Sequence, residues 1–386
     1  MTMRASILLL ACPTLLAVTS LLGVGCAAKP PVIASFHDLE GSQSSLGIPA
    51  SRGAAIAAED LAGPGVPLKV EPYDSRSDPR VSRPLAAQAA LSATVGAGFT
   101  DSDVALGGAQ EFARRQKVFM IAGATDPSLP ERCGPGTYLV PFGDDAQAVA
   151  AADLVRKRFG TKVIVVADMR SDYTRVLAGY FENALRVNGG TVMARLDPTK
   201  TGFAESFAEA AAKFPPDAVF LSLQPDLLTD VVGAVRRALP EAPLVGGDAF
   251  DVAGVEEIDP SAKGEGALYF TTHAWFGEGA PRIALDFAHR YRTRHGEDPT
   301  SFAALGYDAT MLAAWVARLR SGGGGLPTPS EVDKALRART PGYMGVTGEI
   351  AYGDGPVPDK DVWIVKVKDG RTSLADRARP DRSKAR

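Results

Sequence analysis

Few side chains in this 386-residue chain could do chemistry, and their spacing argues against catalysis. The only histidines are His37, His273, His289 and His295. His289 and His295 fall on a basic helical face, and His37, after the first strand-like run, is the one placed to border a cleft. No HExxH, GxSxG or phosphate-cradling GxxxxGK[ST] occurs. Gly96-x-Gly98 follows an apolar run, but Asp101 stands where a dinucleotide fingerprint needs its third glycine. Cys12 and Cys26 lie at the N-terminus, which leaves Cys133 alone in the body of the chain. One thiol builds neither a disulfide nor a metal cluster, and no histidine near it in sequence suggests a nucleophile. The reading is of a protein that is not an enzyme, with no catalytic residue, cofactor or metal.

What remains is a set of short loops rich in glycine, hydroxyls and carboxylates. They hold Gly98-Phe99-Thr100-Asp101-Ser102, Gly123-Ala124-Thr125-Asp126, Ser171-Asp172-Tyr173, Ser222-Leu223-Gln224 and Gly246-Gly247-Asp248. Hydroxyls and free N–H groups at helix starts attract anions, whereas a buried ammonium needs an acid. Asp101 and Asp103 flank Ser102; pointing outward they cap a helix, and pointing inward they repel an anion.

Those loops need elements to hold them. Beyond the N-terminus, short apolar runs alternate repeatedly with helical patterns, which argues for α/β architecture with parallel sheets. Strands are predicted at 32–36, 68–72, 93–97, 118–122, 162–167, 191–195, 218–223 and 243–246. Helices are predicted between them, including 49–61, 102–116, 146–159 (with Asp144 as its cap) and 173–188. After a strand at 267–272 come helices at 281–295, 301–321 and 329–338, then alternating runs at 348–352 and 361–367 that read as one hairpin. A chain of this length exceeds one compact core. Two lobes with three crossings follow, the crossings falling near 140–144, 272–277 and 342–348. Lobe 1 then comprises 30–141 plus 274–342, and lobe 2 comprises 142–273 plus 343–370. Residues 371–386 are basic without apolar periodicity and read as a disordered tail. Trp275 and Phe276 fall at a crossing, as a lid or as hinge packing.

The motif series resembles the periplasmic leucine/isoleucine/valine-binding protein family, the type I solute receptors of amino-acid ABC transporters. It runs through Gly47, Gly53-Ala54 and Ala58-Glu59-Asp60, then Gly123-Ala124-Thr125-Asp126-Pro127 and Asp172-Tyr173. It continues with Asn188-Gly189-Gly190, Pro216-Asp217-Ala218-Val219, Gly246-Gly247-Asp248, Glu265-Gly266 and Gly306-Tyr307-Asp308-Ala309. The resemblance implies the two-lobed type I periplasmic-binding-protein fold, with a small solute gripped between lobes. By the same resemblance, Thr100 and Thr125, with the backbone at Gly98 and Gly123, hold a ligand carboxylate. Asp248 stands at the usually acidic position that meets the ammonium, and Tyr173 closes over the ligand. Leu46 and Gln224 fall at or near positions where the family often carries an aromatic. The implied ligand is an amino acid, branched-chain ones included, and the implied partners are ABC permease subunits. A sensor of the same fold for an amide, urea-like or other small solute is the alternative.

Arg4 precedes an uncharged, mostly apolar run from 5 to 24, and small residues lead into Cys26. That pattern is an export signal. Cys26 resembles the lipid-acceptor cysteine of bacterial lipoproteins, although Gly23 stands where that pattern prefers leucine. Cleavage after Ala27 or Ala28 would instead release a soluble protein. Either way the expected location is the periplasm or cell surface, with the membrane reached through a lipid at Cys26. The formal charge of −3 gives no reason to expect nucleic acid, and a monomer is expected.

Overall fold

The computed structural model describes residues 30–62, 67–260, 266–322 and 325–385. The export signal and Cys26 lie outside the described residues. The first sheet is built from β1 (Val32–His37), α1 (Ser44–Leu61), β2 (Lys69–Asp74), α2 (Pro79–Ser92), β3 (Val95–Gly98), α3 (Ser102–Ala113), β4 (Phe119–Ile121), α4 (Leu129–Cys133) and β5 (Thr137–Leu139). Its five strands are all parallel, in the order 2-1-3-4-5. β3 and β4 are buried along their whole length, as strands covered on both faces must be, which is why they read as plain apolar runs. β5 was not anticipated, since three residues carry too little pattern.

The second sheet follows with α5 (Asp144–Arg158), β6 (Lys162–Ala167), α6 (Asp172–Val187), β7 (Thr191–Leu196), α7 (Phe203–Lys213), β8 (Ala218–Ser222), α8 (Leu228–Ala238), β9 (Leu244–Gly246) and β10 (Leu268–Thr272). These strands repeat the same winding, 7-6-8-9-10, all parallel. The chain then returns to lobe 1 through α9 (Arg282–His295), α10 (Ser301–Arg318) and α11 (Pro329–Arg337). α10 lies against α1 backbone to backbone. A Cβ on Gly53 would sit 1.8 Å from the Ala303 carbonyl oxygen, and one on Gly306 would sit 2.0 Å from that of Ala50. α1 itself begins at Ser44, not at Pro49, so Leu46 lies on its first turns.

Two sequence expectations fail at the C-terminal end. β11 (Tyr343–Gly345) and β12 (Gly348–Ile350) pair with each other, not with a later strand. The Asp308 carboxylate on α10 accepts from Val346 N and Thr347 N at 2.8 Å each, which fastens this hairpin to lobe 1. Ile350 and Tyr352 accordingly pack in the lobe 1 core, so the third crossing falls after Tyr352 and not at 342–348. The tail is not disordered either. β13 (Val362–Lys368) pairs antiparallel with β10 and with β14 (Arg371–Ala378), extending the second sheet to seven strands. The turn between them is Asp369-Gly370, with φ of 52° and 68°, the two left-handed residues a tight hairpin requires. The basic residues answer acids of lobe 2: Arg377 meets Asp361, Arg382 meets Asp145 and Lys384 meets Asp153. Ala385 is fully buried in the lobe 2 core.

Candidate functional site

In each sheet the winding reverses beside the first strand, so the loops after β1 and β3, and after β6 and β8, leave a crevice at the carboxyl edge. The two crevices face each other. Leu46, Thr100, Gly123 and Thr125 from lobe 1 and Tyr173, Gln224 and Asp248 from lobe 2 line one cavity between them. Of the ligand-contact residues implied by the resemblance, only Gly98 is absent from its wall. Gly98 ends β3 at φ 124°, where a Cβ would lie 2.0 Å from the Phe36 carbonyl oxygen, so it serves the close approach of β1 and β3. Sequence reasoning missed Gln43, Ser102 and Phe302 on the wall. It also missed Asp38, Gln147 and His273, which hold wall residues from behind.

Lobe 1 presents Thr100 through an unusual backbone. Phe99, just before it, adopts φ 61°, a conformation that costs a bulky residue about 1–3 kcal/mol. Its ring stacks on Phe36 and Phe119 at centroid distances of 5.0 and 5.3 Å, which offsets that strain. Thr100 has both its donors engaged within lobe 1. Its N–H and hydroxyl both donate to Asp38 Oδ2, at 3.2 and 2.5 Å. Asp38 is fully buried, and burial raises its pKa against the pull of these donors and Ser75.

Asp101 is the N-cap of α3, accepting from Asp103 N at 2.9 Å and Val104 N at 3.1 Å. Burial first, then the charges of Asp103 and Asp38, push its pKa up to about 7. Asp144, expected as a helix cap, is instead the first residue of α5 and is buried, with Gly143 as the cap. Its pKa rises well above the carboxylate range through burial and the nearby Asp248.

Lobe 2 presents Asp248 on a buttressed mount. Oδ1 accepts from Tyr173 Oη at 2.8 Å and Gln147 Nε2 at 2.9 Å, and Oδ2 lies 2.9 Å from His273 Nε2. Gln147 Oε1 in turn accepts from Asp248 N and from the Thr271 hydroxyl. His273 stacks on Phe142, and burial lowers its pKa, so a neutral ring orients Asp248.

The lobes are closed on each other. Gln43 Nε2 donates to Gln224 Oε1 at 2.8 Å, and Gln224 Nε2 donates to Ser171 Oγ at 2.7 Å and Asp101 Oδ2 at 3.3 Å. Asp172 N donates to Asp103 Oδ2 at 3.2 Å, and Arg132 bridges Asp126 and Asp172. In this arrangement the cavity measures about 10 Å³, roughly one water, so any larger solute enters only with the lobes further apart. A groove of about 510 Å³ lies outside the second crossing, where Trp275 and Phe276 line it with Arg292 and Glu297. They are not a lid over the cleft: neither residue is on the wall of the cleft cavity. His37 is buried against Ser35 Oγ, away from the cavity wall, with its pKa lowered to about 4 by burial. The Cys133 thiol is buried, which pushes its pKa up to about 12 and keeps it a poor nucleophile.

Residues 30–372 match the family model described as periplasmic binding protein. Among curated proteins, none matches. The fold is shared with a leucine binding protein, LivK, of Thermotoga maritima, at 24% identity and a TM-score of 0.80, over 91% of this chain and 99% of that one. It is also shared with the branched-chain amino acid transporter substrate binding protein LivJ of Streptococcus pneumoniae, solved with isoleucine, at 21% identity and TM-score 0.78, over 91% and 100%. A solute binding protein of an R. palustris ABC transporter, solved with benzoate, aligns at 18% identity and TM-score 0.75, over 91% and 97%. One architecture thus serves both amino-acid and aromatic-acid ligands in other proteins.

Proposed function

This chain belongs to the periplasmic binding protein family, and we propose that it is the extracytoplasmic solute receptor of an ABC transporter, capturing a small ammonium-bearing solute by hinge closure. The observation that carries this reading is the cavity walled from both lobes, with Asp248 fixed on one side and helix-start loops on the other. Amino acids are the first class to test, given the fold shared with leucine- and isoleucine-binding proteins.

Closure follows from contacts that exist only when the lobes meet. A ligand touching lobe 1 in the open state gains Tyr173 and Asp248 on closing, so it stabilises the closed form by difference. Moving from mostly open to mostly closed takes about 5.5 kcal/mol of preference. One charge-assisted pair and a few hydrogen bonds, each about 1–3 kcal/mol, supply that. The closed receptor docks on permease subunits, and a lipid at Cys26 keeps it near the membrane. Binding is without turnover.

Small-angle scattering and calorimetry against amino acids, amides, urea and small carboxylates test the proposal. The expected result is a smaller radius of gyration with stoichiometric, product-free binding for one class. Identical profiles across the whole panel would overturn it.

A further inference from the structure

We propose that the cleft selects an organic cation without a free carboxylate, so that this receptor takes amines or amine-bearing amides in preference to zwitterionic amino acids and aromatic acids. This rests on the reading of the cleft as a solute site and narrows its ligand. The first ground is that two sets of lobe 1 donors suited to an anion, those of Thr100 and of the start of α3, are already engaged by the protein's own acids. The N–H and hydroxyl of Thr100 go to Asp38, and the first free N–H groups of α3 go to Asp101. A ligand carboxylate would have to displace a buried carboxylate to reach them.

The second ground is charge. Asp101 and Asp248 are on the cavity wall, and Asp38 lies directly behind it. Among the described residues none of these three has an Arg or Lys ion-pair partner. An incoming anion would meet uncompensated like charge, whereas a cation supplies what is missing. A third observation is independent of the acids. The Ser102 hydroxyl lies on the same wall, 2% exposed, and has no hydrogen-bond partner among the described residues. It can accept from a ligand N–H or donate to a ligand oxygen, so it marks a ligand contact on this wall without setting the ligand's charge. No three acid, histidine or cysteine side chains converge as a metal site among the described residues, so the cation that fits is an organic one.

Titration calorimetry at pH 7.5 on the mature chain, with leucinamide, putrescine, leucine and benzoate as probes, decides the matter. Leucinamide against leucine isolates the carboxylate. The expected result is at least tenfold tighter binding of leucinamide or putrescine than of leucine, with benzoate weakest. Leucine or benzoate binding as tightly as leucinamide would overturn the selection for cations while leaving the receptor reading intact. No heat from any probe, together with scattering profiles that none of them alters, would count against both.

Two variants localise the effect. Ser102→Ala should weaken the best cation several-fold at an unchanged melting temperature, and unaltered affinity would remove Ser102 from the site. Asp101→Asn retains a cap acceptor and should cut the preference for leucinamide over leucine about tenfold. Asp101 is faced by Asp38 after β1, by Asp103 on its own helix and by neutral Gln224 from lobe 2, with Asp172 and Arg132 beyond Asp103. Since a cation favours its charged form, affinity for the best cation should rise from pH 5.5 to 7.5 with proton release on binding. A flat profile in the unaltered protein would exclude Asp101 as the selecting group.

Discussion

Two buried acids of the scaffold, Asp308 and Asp259, are held differently from two at the cleft, Asp38 and Asp101. In the hairpin ahead of the third crossing, Val346 and Thr347 donate three hydrogen bonds to Asp308, and the Thr347 hydroxyl also meets buried Lys360, in the crossing itself, at 2.5 Å. Lys360 reaches on to the Val140 carbonyl of the first crossing, which joins two crossings through one ammonium. In lobe 2, Arg236 holds Asp259 through a bidentate pair with both side chains almost fully buried. Asp38 and Asp101 are as deeply buried as these but have only neutral donors. Asp308 and Asp259 lie with a buried cation close by, and Asp38 and Asp101 do not.

The comparison breaks first if removing a scaffold acid proves harmless. Asp308→Ala strands the Val346 and Thr347 N–H groups and removes the negative charge facing buried Lys360, and unfolding free energy should fall by about 3–5 kcal/mol in a urea titration. Asp101→Asn should do the opposite. The Asp101 pKa is raised in the folded protein, so the unfolded chain loses its proton first and stability falls as pH climbs from about 4 to about 7. The variant should therefore gain about 1–3 kcal/mol over the parent above pH 7, and the gain should vanish toward pH 4. A stability loss at pH 7.5 would show that the charge is structural after all. Tyr173→Phe removes one donor to Asp248 and should weaken an ammonium ligand by about 1–2 kcal/mol in calorimetry. The smallest effect belongs to Gln224→Ala, which deletes hydrogen bonds from Gln43 and to Asp101 across the cleft. It should cost closure about 1 kcal/mol, read as a larger radius of gyration in the unliganded protein.

The scaffold was legible where burial is simple. β6 was predicted at its observed bounds because Val163–Ala167 is an unbroken apolar run buried on both faces. The third crossing was misplaced because β11 and β12 are three residues each and depend on Asp308, a partner remote in sequence. The tail carried a readable sign, Asp369-Gly370 between alternating residues, that basic composition outweighed. Positions on the cleft wall were legible from strand ends and helix starts. What those residues do was less so. That Thr100 is engaged by Asp38, and that Gln147 and His273 steady Asp248, depends on burial and contacts between elements far apart in the chain.

The left-handed backbone at Phe99 ties the two walls to unequal futures. Thr100 stands where it does because a stack of rings in the lobe 1 core holds its neighbour in place. Substitutions that would re-aim that wall therefore disturb the interior of the lobe, whereas Gln224, itself buried, precedes a short 3₁₀ turn (Pro225–Leu227) with no buried residue. Variation in what this receptor accepts, whether by natural drift or by directed selection, should accumulate around the turn after Gln224, with the lobe 1 wall and the buttressed Asp248 each inherited as a block.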